Sequence, residues 1–555
     1  MKLSVLNLKP IELSNQIFTD FEIVTSLADA KGEYIAFNIF ENSETRFEEQ
    51  ITFLDNNKEF VGCGTFIKRK DDNFFYTAEA SIIESELLKG HLPLEFGSFM
   101  FRNVGIIEPD FFKLCCSLLK YGKLTNLSKS LIKCDNYVAY QPNDLTEKKN
   151  FAKEKYKEII NIIHLNITSD GNFSGVDRYI KTLRENYPPE IRHEQITFLA
   201  SKKTEWIIGK DQSFIRYNPN VTPLEHMYDQ FWDNFKHLFL HKHNLIIQSN
   251  CLNLYSLITY LRRKVKAVHI CAMHCVPYRE AIRIDRKKYE ELNKLFLDES
   301  KDFIESAETY QALELADHVI LNTVDAAKYY ERVGFLSQYS IINNGVEKIE
   351  KKEKTDDIFR FIFVGHSSPL KGMDQLLDII EEVKNTGRQF EVLWAGSADK
   401  KLLEIIKQKD LPVKSYGVLH PDKLIELYAY VDCSLIATAC ETCSYAALEA
   451  LSAGLPIIAT KAPGVTEIVN SAIYVDYTGE EEIEFNGGIL IEINNSGIID
   501  KTAYVQAMCD VIDSAELRET MSKGSSSGFN YYDIKRIIPK MVRLYRSLTY
   551  VRQVC

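Results

Sequence analysis

No apolar run in this chain approaches the ~18 to 20 residues needed to cross a bilayer, and the opening MKLSVLNLKPIELSNQ lacks the apolar centre of a secretory leader. A membrane-spanning or exported protein is therefore not expected, and a cytoplasmic location is. A basic excess is also missing. The formal net charge is −11, whereas a general nucleic-acid binder needs a basic face to neutralise phosphate. The twelve cysteines sit in apolar segments, as at Cys115, Cys116, Cys251 and Cys509, which argues against a disulfide-framed fold. Cys440 and Cys443 form one Cys-x-x-Cys with no second pair to complete a zinc site, so buried thiols and no metal are expected there. What remains is an ordinary globular composition, 45% hydrophobic and 26% charged. A length of 555 residues is enough for about three to four domains.

The most informative stretch is ACETCSYAALEALSAGLPIIAT, in which Glu441 and Glu449 flank an apolar, strongly helical run closed by Gly454 and Pro456. The pattern predicts loop, helix, turn and parallel strand. At ~3.6 residues per turn, Glu441 falls at or before the helix start and Glu449 about two turns on. Both acids could then meet one polyhydroxylated ligand at the carboxyl edge of a parallel sheet. The spacing alone also suits an amphipathic helix with two solvated acids, so the neighbouring segments decide.

From Phe359 those segments are regular. FRFIFVGHSSPLKGMDQLLDII is a strand, a Gly-containing loop and a helix, and EVLWAGSA, VKSYGVL, CSLIATA and PIIAT are further strands with helices between them. Such alternation specifies a doubly wound, Rossmann-like parallel sheet. In the loop GHSSPLKG at 365–372, backbone N–H groups, the helix dipole and the Lys371 ammonium suit a diphosphate. Upstream, IIHLNI is a strand followed by TSDGNFSGV, whose Gly171 and Gly175 permit a tight turn at a helix start. NLIIQSN, KAVHICAM, HVILNTV and SIINNGV continue as strands of a first lobe.

Together these motifs resemble the retaining family 4 glycosyltransferases, the glycosyl transferases group 1, whose GT-B fold has two Rossmann-like lobes. Glu441 and Glu449 match that family's paired glutamates. Lys371 matches the lysine of its Gly-Arg-(four residues)-Lys-Gly loop. APGVTEIV at 462–469 resembles its Gly-Gly-x-x-Glu-Ile loop, with Pro463 for the first Gly, and Asn344-Gly345-Val346 resembles the Asn-Gly-Val that closes its first lobe. The resemblance implies retaining transfer from a nucleotide diphosphate sugar, UDP-sugar favoured, to a glycan, a lipid-linked glycan or a peptide in polysaccharide biosynthesis. No resident cofactor or metal is implied. Glu441, Lys371 and His274 are the implied catalytic set, with Glu441 on the donor sugar's hydroxyls, Lys371 against the leaving diphosphate and His274 beside the donor sugar. Glu449 is implied on the ribose, and Gly365, His366, Ser444, Tyr445, Gly171, Gly175 and Asn344 are implied as further donor contacts. Retention is expected by front-face attack.

Three positions depart from the family. His366 stands where it has Arg, and imidazole cannot form the permanently charged, bidentate clamp of guanidinium. Ser444 replaces a usual Gly, and Ala437-Thr438 a usual Pro-Ser. Two rival functions share the fold: a catalytically inactive scaffold in a glycan-assembly complex, and a GT-B sugar-nucleotide epimerase.

The expected domains are a module at 1–145, a first, acceptor-side lobe at 146–345, a second, nucleotide-sugar lobe at 346–525 and a C-terminal helix at 526–555 returning to the first lobe. QPNDLTEKKNFAKEKYKEIIN, polar and charged, is the expected connection after the first module. That module resembles a truncated family 2 glycosyltransferase of the GT-A fold. The stretch beginning at Asn15 runs almost directly into Lys31, so the nucleotide-binding part is missing. NIFEN replaces the metal-binding Asp-x-Asp, and Ile39 and Phe40 have no oxygen for a cation. An inactive module is expected, with an unrelated α/β cap as the alternative. The basic runs at 262–266 and 283–288 suit either peripheral contact with anionic lipid or a phosphorylated acceptor, or a solvated helix face. Composition leaves the oligomeric state open.

Overall fold

The computed structural model describes residues 2–554 apart from 8–19, 39–40, 69–72, 75–77, 79, 89–90, 95, 109, 134–144, 157–158, 170–174, 210, 220–223, 241, 284, 336, 355 and 472–484. The chain forms two compact units. One comprises residues 1–162, 187–193 and 234–245, the other residues 163–186, 194–233 and 246–555. Among the described residues no helix is long and apolar enough to cross a membrane.

The first unit is built on an eight-stranded mixed sheet. The strand Leu3–Asn7 pairs parallel with Phe21–Val24 and Tyr34–Asn38, and Tyr34–Asn38 pairs antiparallel with Met100–Arg102. Phe37, Phe99, Phe101 and Phe112 are buried in its core. The expectations that fall on 15–19 and on Ile39 and Phe40 lie outside the described residues. The expected connection is in part a helix, Leu145–Tyr156. Ala152 enters the core of this unit, Lys148 Nζ lies 5.3 Å from the Phe112 ring centre and Lys113 Nζ 5.4 Å from that of Phe151. The segment looks like a linker in sequence because lysine stems share the packed face with Phe151 and Ala152.

The second unit holds the expected α/β architecture, two sheets of doubly wound type. The first runs in the order Glu205–Ile207, Gln212–Tyr217, Ile191–Ala200, Ile160–Ser169, Leu245–Ser249, Val268–Met273, His318–Leu321 and Tyr339–Ile341, parallel from Leu245–Ser249 onward. The second is all parallel, in the order Val413–Gly417, Phe390–Ala395, Phe359–Val364, Cys433–Ile436, Ile457–Thr460 and Gly488–Ile491. Strands covered on both faces read as continuous apolar runs, and Phe361, Ile362 and Phe363 are buried accordingly. The helix Met373–Asn385 covers this sheet with Met373, Leu376, Leu377, Ile380 and Val383, the spacing of one helical face.

The chain ends in the helices Ala515–Tyr532 and Ile534–Val554. Ile534 N donates to Val346 O at 3.0 Å, and Tyr545 hydroxyl donates to Gln248 Oε1 at 2.7 Å. The last helix is thereby bonded to the first lobe's sheet.

Candidate functional site

In the second sheet the strand order reverses between Phe359–Val364 and Cys433–Ile436, which are neighbours. Loops leaving their carboxyl ends therefore lie side by side, where open α/β sheets hold ligands. Gly365 O accepts from Trp394 Nε1 at 2.8 Å. A Cβ on Gly365 would stand 3.2 Å from Lys371 Cγ, so the lysine stem runs over the glycine. Gly372, at φ +74°, turns the chain into the helix Met373–Asn385, and a Cβ there would stand 2.0 Å from Ala437 O. The close pass joins the two loops. Ala439 N donates to Leu370 O at 2.9 Å, Thr438 Oγ1 donates to the same carbonyl at 2.8 Å, and Lys371 Nζ is ion-paired with Glu441 Oε1. The hydroxyl of Thr438, one of the departures, thus ties the lysine loop to the glutamate loop.

His366 lies in the same loop. Ser368 N stands 3.3 Å from its Nδ1 and Arg283 Nη1 3.4 Å from its Nε2. Burial, with the charges of Lys371 and Arg283, pushes the imidazole down to about 4, so it is neutral at pH 7.

The helix Tyr445–Ser452 begins at Ser444, whose Oγ accepts from Ala447 N at 3.4 Å. Serine at this position acts as a helix cap, which glycine does without a side-chain acceptor. Glu449 is 1% exposed and ion-paired with Arg178 Nη1, without hydrogen-bond geometry, which leaves Glu449 Oε1 with no hydrogen-bond donor. The Arg178 guanidinium lies 5.4 Å from the Tyr445 ring centre, and its burial pulls its pKa down. Arg178 belongs to the helix Gly175–Asn186. A Cβ on Gly175 would come 3.6 Å from Tyr445 Cδ2, which puts that helix start against Tyr445. Gly171 lies outside the described residues.

His274 follows the strand Val268–Met273 and packs edge-on against Tyr179, with ring centres 4.5 Å apart. Asn322 Nδ2 donates to its Nδ1 at 3.1 Å, so Nε2 carries the proton and faces Asn250 Oδ1 at 3.4 Å. Asn250 Oδ1 also accepts from Gln248 Nε2 at 3.2 Å, which extends the chain of polar contacts to Tyr545. Burial pushes the His274 imidazole down to about 3. It is a neutral donor held in one tautomer.

Buried polar atoms are nearly always partnered. Here Ser368 Oγ, Tyr445 hydroxyl, Asn322 Oδ1, Asn344 Oδ1 and Glu449 Oε1 have no hydrogen-bond partner. Tyr445, Asn344 and Glu449 among them are candidates from sequence, and Ser368 lies within the lysine loop.

One residue in contact with the site carries no such signal. Arg178 sits on the polar face of an amphipathic helix, with no local sign of its partner. Glu467, inside the Gly-x-x-Glu motif, accepts from Val324 N at 3.1 Å and Asp325 N at 3.2 Å, at the start of the helix Val324–Arg332. In the basic run at 283–288 two arginines have partners within the chain. Arg283 is on His366, and Arg286 donates to Pro369 O at 3.1 Å and Gly497 O at 3.2 Å, so these two are directed at the lysine loop and its surroundings. In the run at 262–266, Arg262 pairs with Asp317 at 2.8 Å.

Two Rossmann-like lobes with a loop pair at the switch point define the GT-B fold class. Residues 346–523 match the family Glycosyl transferases group 1. Among curated proteins, an uncharacterized glycosyltransferase of Methanocaldococcus jannaschii is 23% identical over 210 residues, 38% of this chain and 54% of that protein. The sulfoquinovosyl transferase of Arabidopsis thaliana is 25% identical over 171 residues, 31% of this chain and 30% of the relative. The chain thus spans about half the length, or less, of these relatives. Among solved structures, sucrose-phosphate synthase from Thermosynechococcus elongatus aligns with a TM-score of 0.52 at 16% identity, over 71% of this chain and all of that one. The Anabaena protein HepE, in complex with UDP and glucose, aligns at 0.51 and 15% identity, over 70% of this chain and all of that one. These likenesses show the fold.

Proposed function

We propose that the second unit transfers a sugar from a nucleotide diphosphate sugar, with retention of anomeric configuration, to an acceptor hydroxyl on a glycan, a lipid-linked glycan or a peptide. The observation that carries this is the Lys371–Glu441 pair at the sheet's switch point, beside the start of the helix Met373–Asn385. The UDP in the HepE structure makes UDP-sugars the first donors to test.

In this scheme the bond between the anomeric carbon and the diphosphate oxygen breaks, and negative charge grows on the leaving phosphate. Lys371 and the helix N-terminus answer that charge, which helps most where it develops. The acceptor oxygen attacks the same face of the sugar and its proton passes to the leaving phosphate oxygen. Glu441 accepts from the donor sugar's hydroxyls. His274, neutral with its proton on Nε2, serves as a hydrogen-bond donor to the sugar rather than as a base. Glu449 is the acceptor for the ribose hydroxyls once Arg178 gives way. The scheme asks for no metal.

The first unit adds no donor site in this reading. Supporting it, Arg46, fully buried, donates to Phe37 O at 2.8 Å, a cation beside the strand after which a GT-A-like module carries its metal-binding acids.

The test is nucleoside diphosphate release from UDP-, GDP- and ADP-sugars, with cell extract as the source of acceptor. Release is expected from one donor class and is abolished in Glu441→Ala and Lys371→Ala. A variant carrying both Glu441→Ala and Lys371→Ala should bind no nucleotide sugar in the presence of Mn²⁺, as expected if the first unit holds no donor site. No release from any donor returns the protein to the scaffold class. Conversion of free UDP-sugar without acceptor identifies the epimerase.

A further inference from the structure

We infer that Arg283 supplies the guanidinium contact to the donor's diphosphate that the lysine loop itself lacks. This rests on the nucleotide-sugar reading and names the residue that clamps the phosphate.

Two N–H groups face the His366 ring, Ser368 N at Nδ1 and Arg283 Nη1 at Nε2. A neutral imidazole has only one acceptor nitrogen. Whichever nitrogen carries the proton, one of the facing N–H groups meets another donor. Such a confrontation is relieved by an acceptor lying between the donors, and a diphosphate oxygen is one. Lys371 adds an ammonium in the same loop, and Ser368 Oγ is buried there with no partner. The loop therefore holds several donors within a few residues of His366, which Arg283 also meets.

Arg283 is delivered from the other lobe by anchored chain. It ends the turn Pro277–Arg283, which buries Tyr278, Arg279 and Ile282, and Arg279 Nη2 is bonded to Asp325 Oδ1 at 3.1 Å. On its other side, Asp285 caps the helix Arg286–Leu297, and Arg286 is bonded to Pro369 O, within the lysine loop. Between these tethers the Arg283 side chain is exposed, and its Nε pairs with Glu280 at 2.5 Å. An exposed pair of this kind contributes little, so phosphate competes with it readily. Guanidinium offers phosphate the planar, charge-assisted fork that imidazole cannot. The arginine absent at position 366 is thus replaced in space by one from the first lobe.

Calorimetric titration of the full-length protein with UDP and with uridine tests this, with GDP/guanosine and ADP/adenosine as parallel arms. Arg283→Ala should weaken diphosphate binding about ten- to hundredfold, the loss of one hydrogen bond to a charged group, and leave nucleoside binding and the melting temperature unchanged. Arg283→Lys should recover part of the loss, and adding His366→Arg to Arg283→Ala should recover most of it. Wild-type diphosphate affinity in Arg283→Ala overturns the inference, as does an equal loss of nucleoside affinity. If the wild-type protein binds none of the three diphosphates, the donor reading itself falls first.

Discussion

Replacing Gly372 by alanine asks whether the lysine loop and the glutamate loop act as one device. The residue is left-handed, at φ +74°, and an L side chain there costs about 1–2 kcal/mol. Its Cβ would stand 2.0 Å from Ala437 O. Ordinary contact begins near 3.4 Å, so the loops must part by about 1.4 Å, against backbone that cannot rotate away. Overpacking of this kind adds about 1–3 kcal/mol, for a total near 2–5 kcal/mol. Because Lys371 and Glu441 ride on the two parted loops, a displacement of roughly 1 Å should also cost about a hundredfold in turnover of the proposed transfer. Gly387 provides the control. It is left-handed too, at φ +82°, and a Cβ there would have nothing within 4 Å, so alanine should show the backbone cost alone. All three tryptophans lie in the second unit, and Trp394 is bonded to Gly365 O, so intrinsic fluorescence in a urea titration reports this unit's unfolding. Gly372→Ala should unfold well before Gly387→Ala and lose UDP affinity that Gly387→Ala keeps. Equal midpoints and equal UDP affinities would refute the coupling of the two loops.

Two further outcomes follow from buried charge. Glu449→Gln leaves the Arg178 guanidinium, 18% exposed, without its counter-charge and should cost about 3–5 kcal/mol in the same fluorescence-monitored titration, with Arg178→Met in that background restoring much of it; an unchanged midpoint would show the pair to be energetically idle. His269, His274 and His366 have folded values of about 4, 3 and 4 against an ordinary 6.5, each lowered first by burial. Between those values the unfolded chain binds more protons than the folded one, so stability is full above about pH 6.5 and is lost as pH falls toward 4. Melting temperatures measured from about pH 7 down to about pH 4.5 should decline steadily, and a flat profile would contradict neutral, buried imidazoles.

The parallel sheets were legible because strands buried on both faces leave uninterrupted apolar runs, as in FRFIFV and CSLI. Glycine and lysine punctuate the loops between them. The pairs that complete the site were not legible. Arg178 and Glu449 are far apart in the chain, and a charge on a helix's polar face carries no mark of what it will meet in space. Ser444 and Thr438 looked like losses of motif residues, whereas their hydroxyls cap a helix and tie two loops. The basic run at 283–288 looked like surface because its charges are spread around a helix start. Only the fold shows that Arg283 and Arg286 share the side that meets the lysine loop. Ala152 disclosed its helix poorly for a related reason, since long polar stems share the packed face with it and Phe151.

The pairing of charges explains how such a site can fold before it meets a donor. Lys371 is held by Glu441, Arg178 by Glu449 and Arg283 by Glu280. Each cation has an acid of its own, so none is left as a buried charge without a partner, the arrangement that destabilises most. A nucleotide diphosphate sugar brings negative charge at its phosphates and hydroxyls on both of its rings. In the proposed function, phosphate oxygens would take the place of the carboxylates on Lys371 and Arg283, while Glu441 and Glu449, released from their cations, would gain hydroxyl donors in exchange. On that reading the same carboxylates serve twice, as counter-ions before binding and as acceptors after it. The exchange fits the different settings of the two acids. Glu441, on the loop, keeps 17% of its side chain exposed, whereas Glu449, on the second turn of the helix, is 1% exposed beside Arg178, so in the proposed scheme it meets the ribose only when Arg178 moves aside.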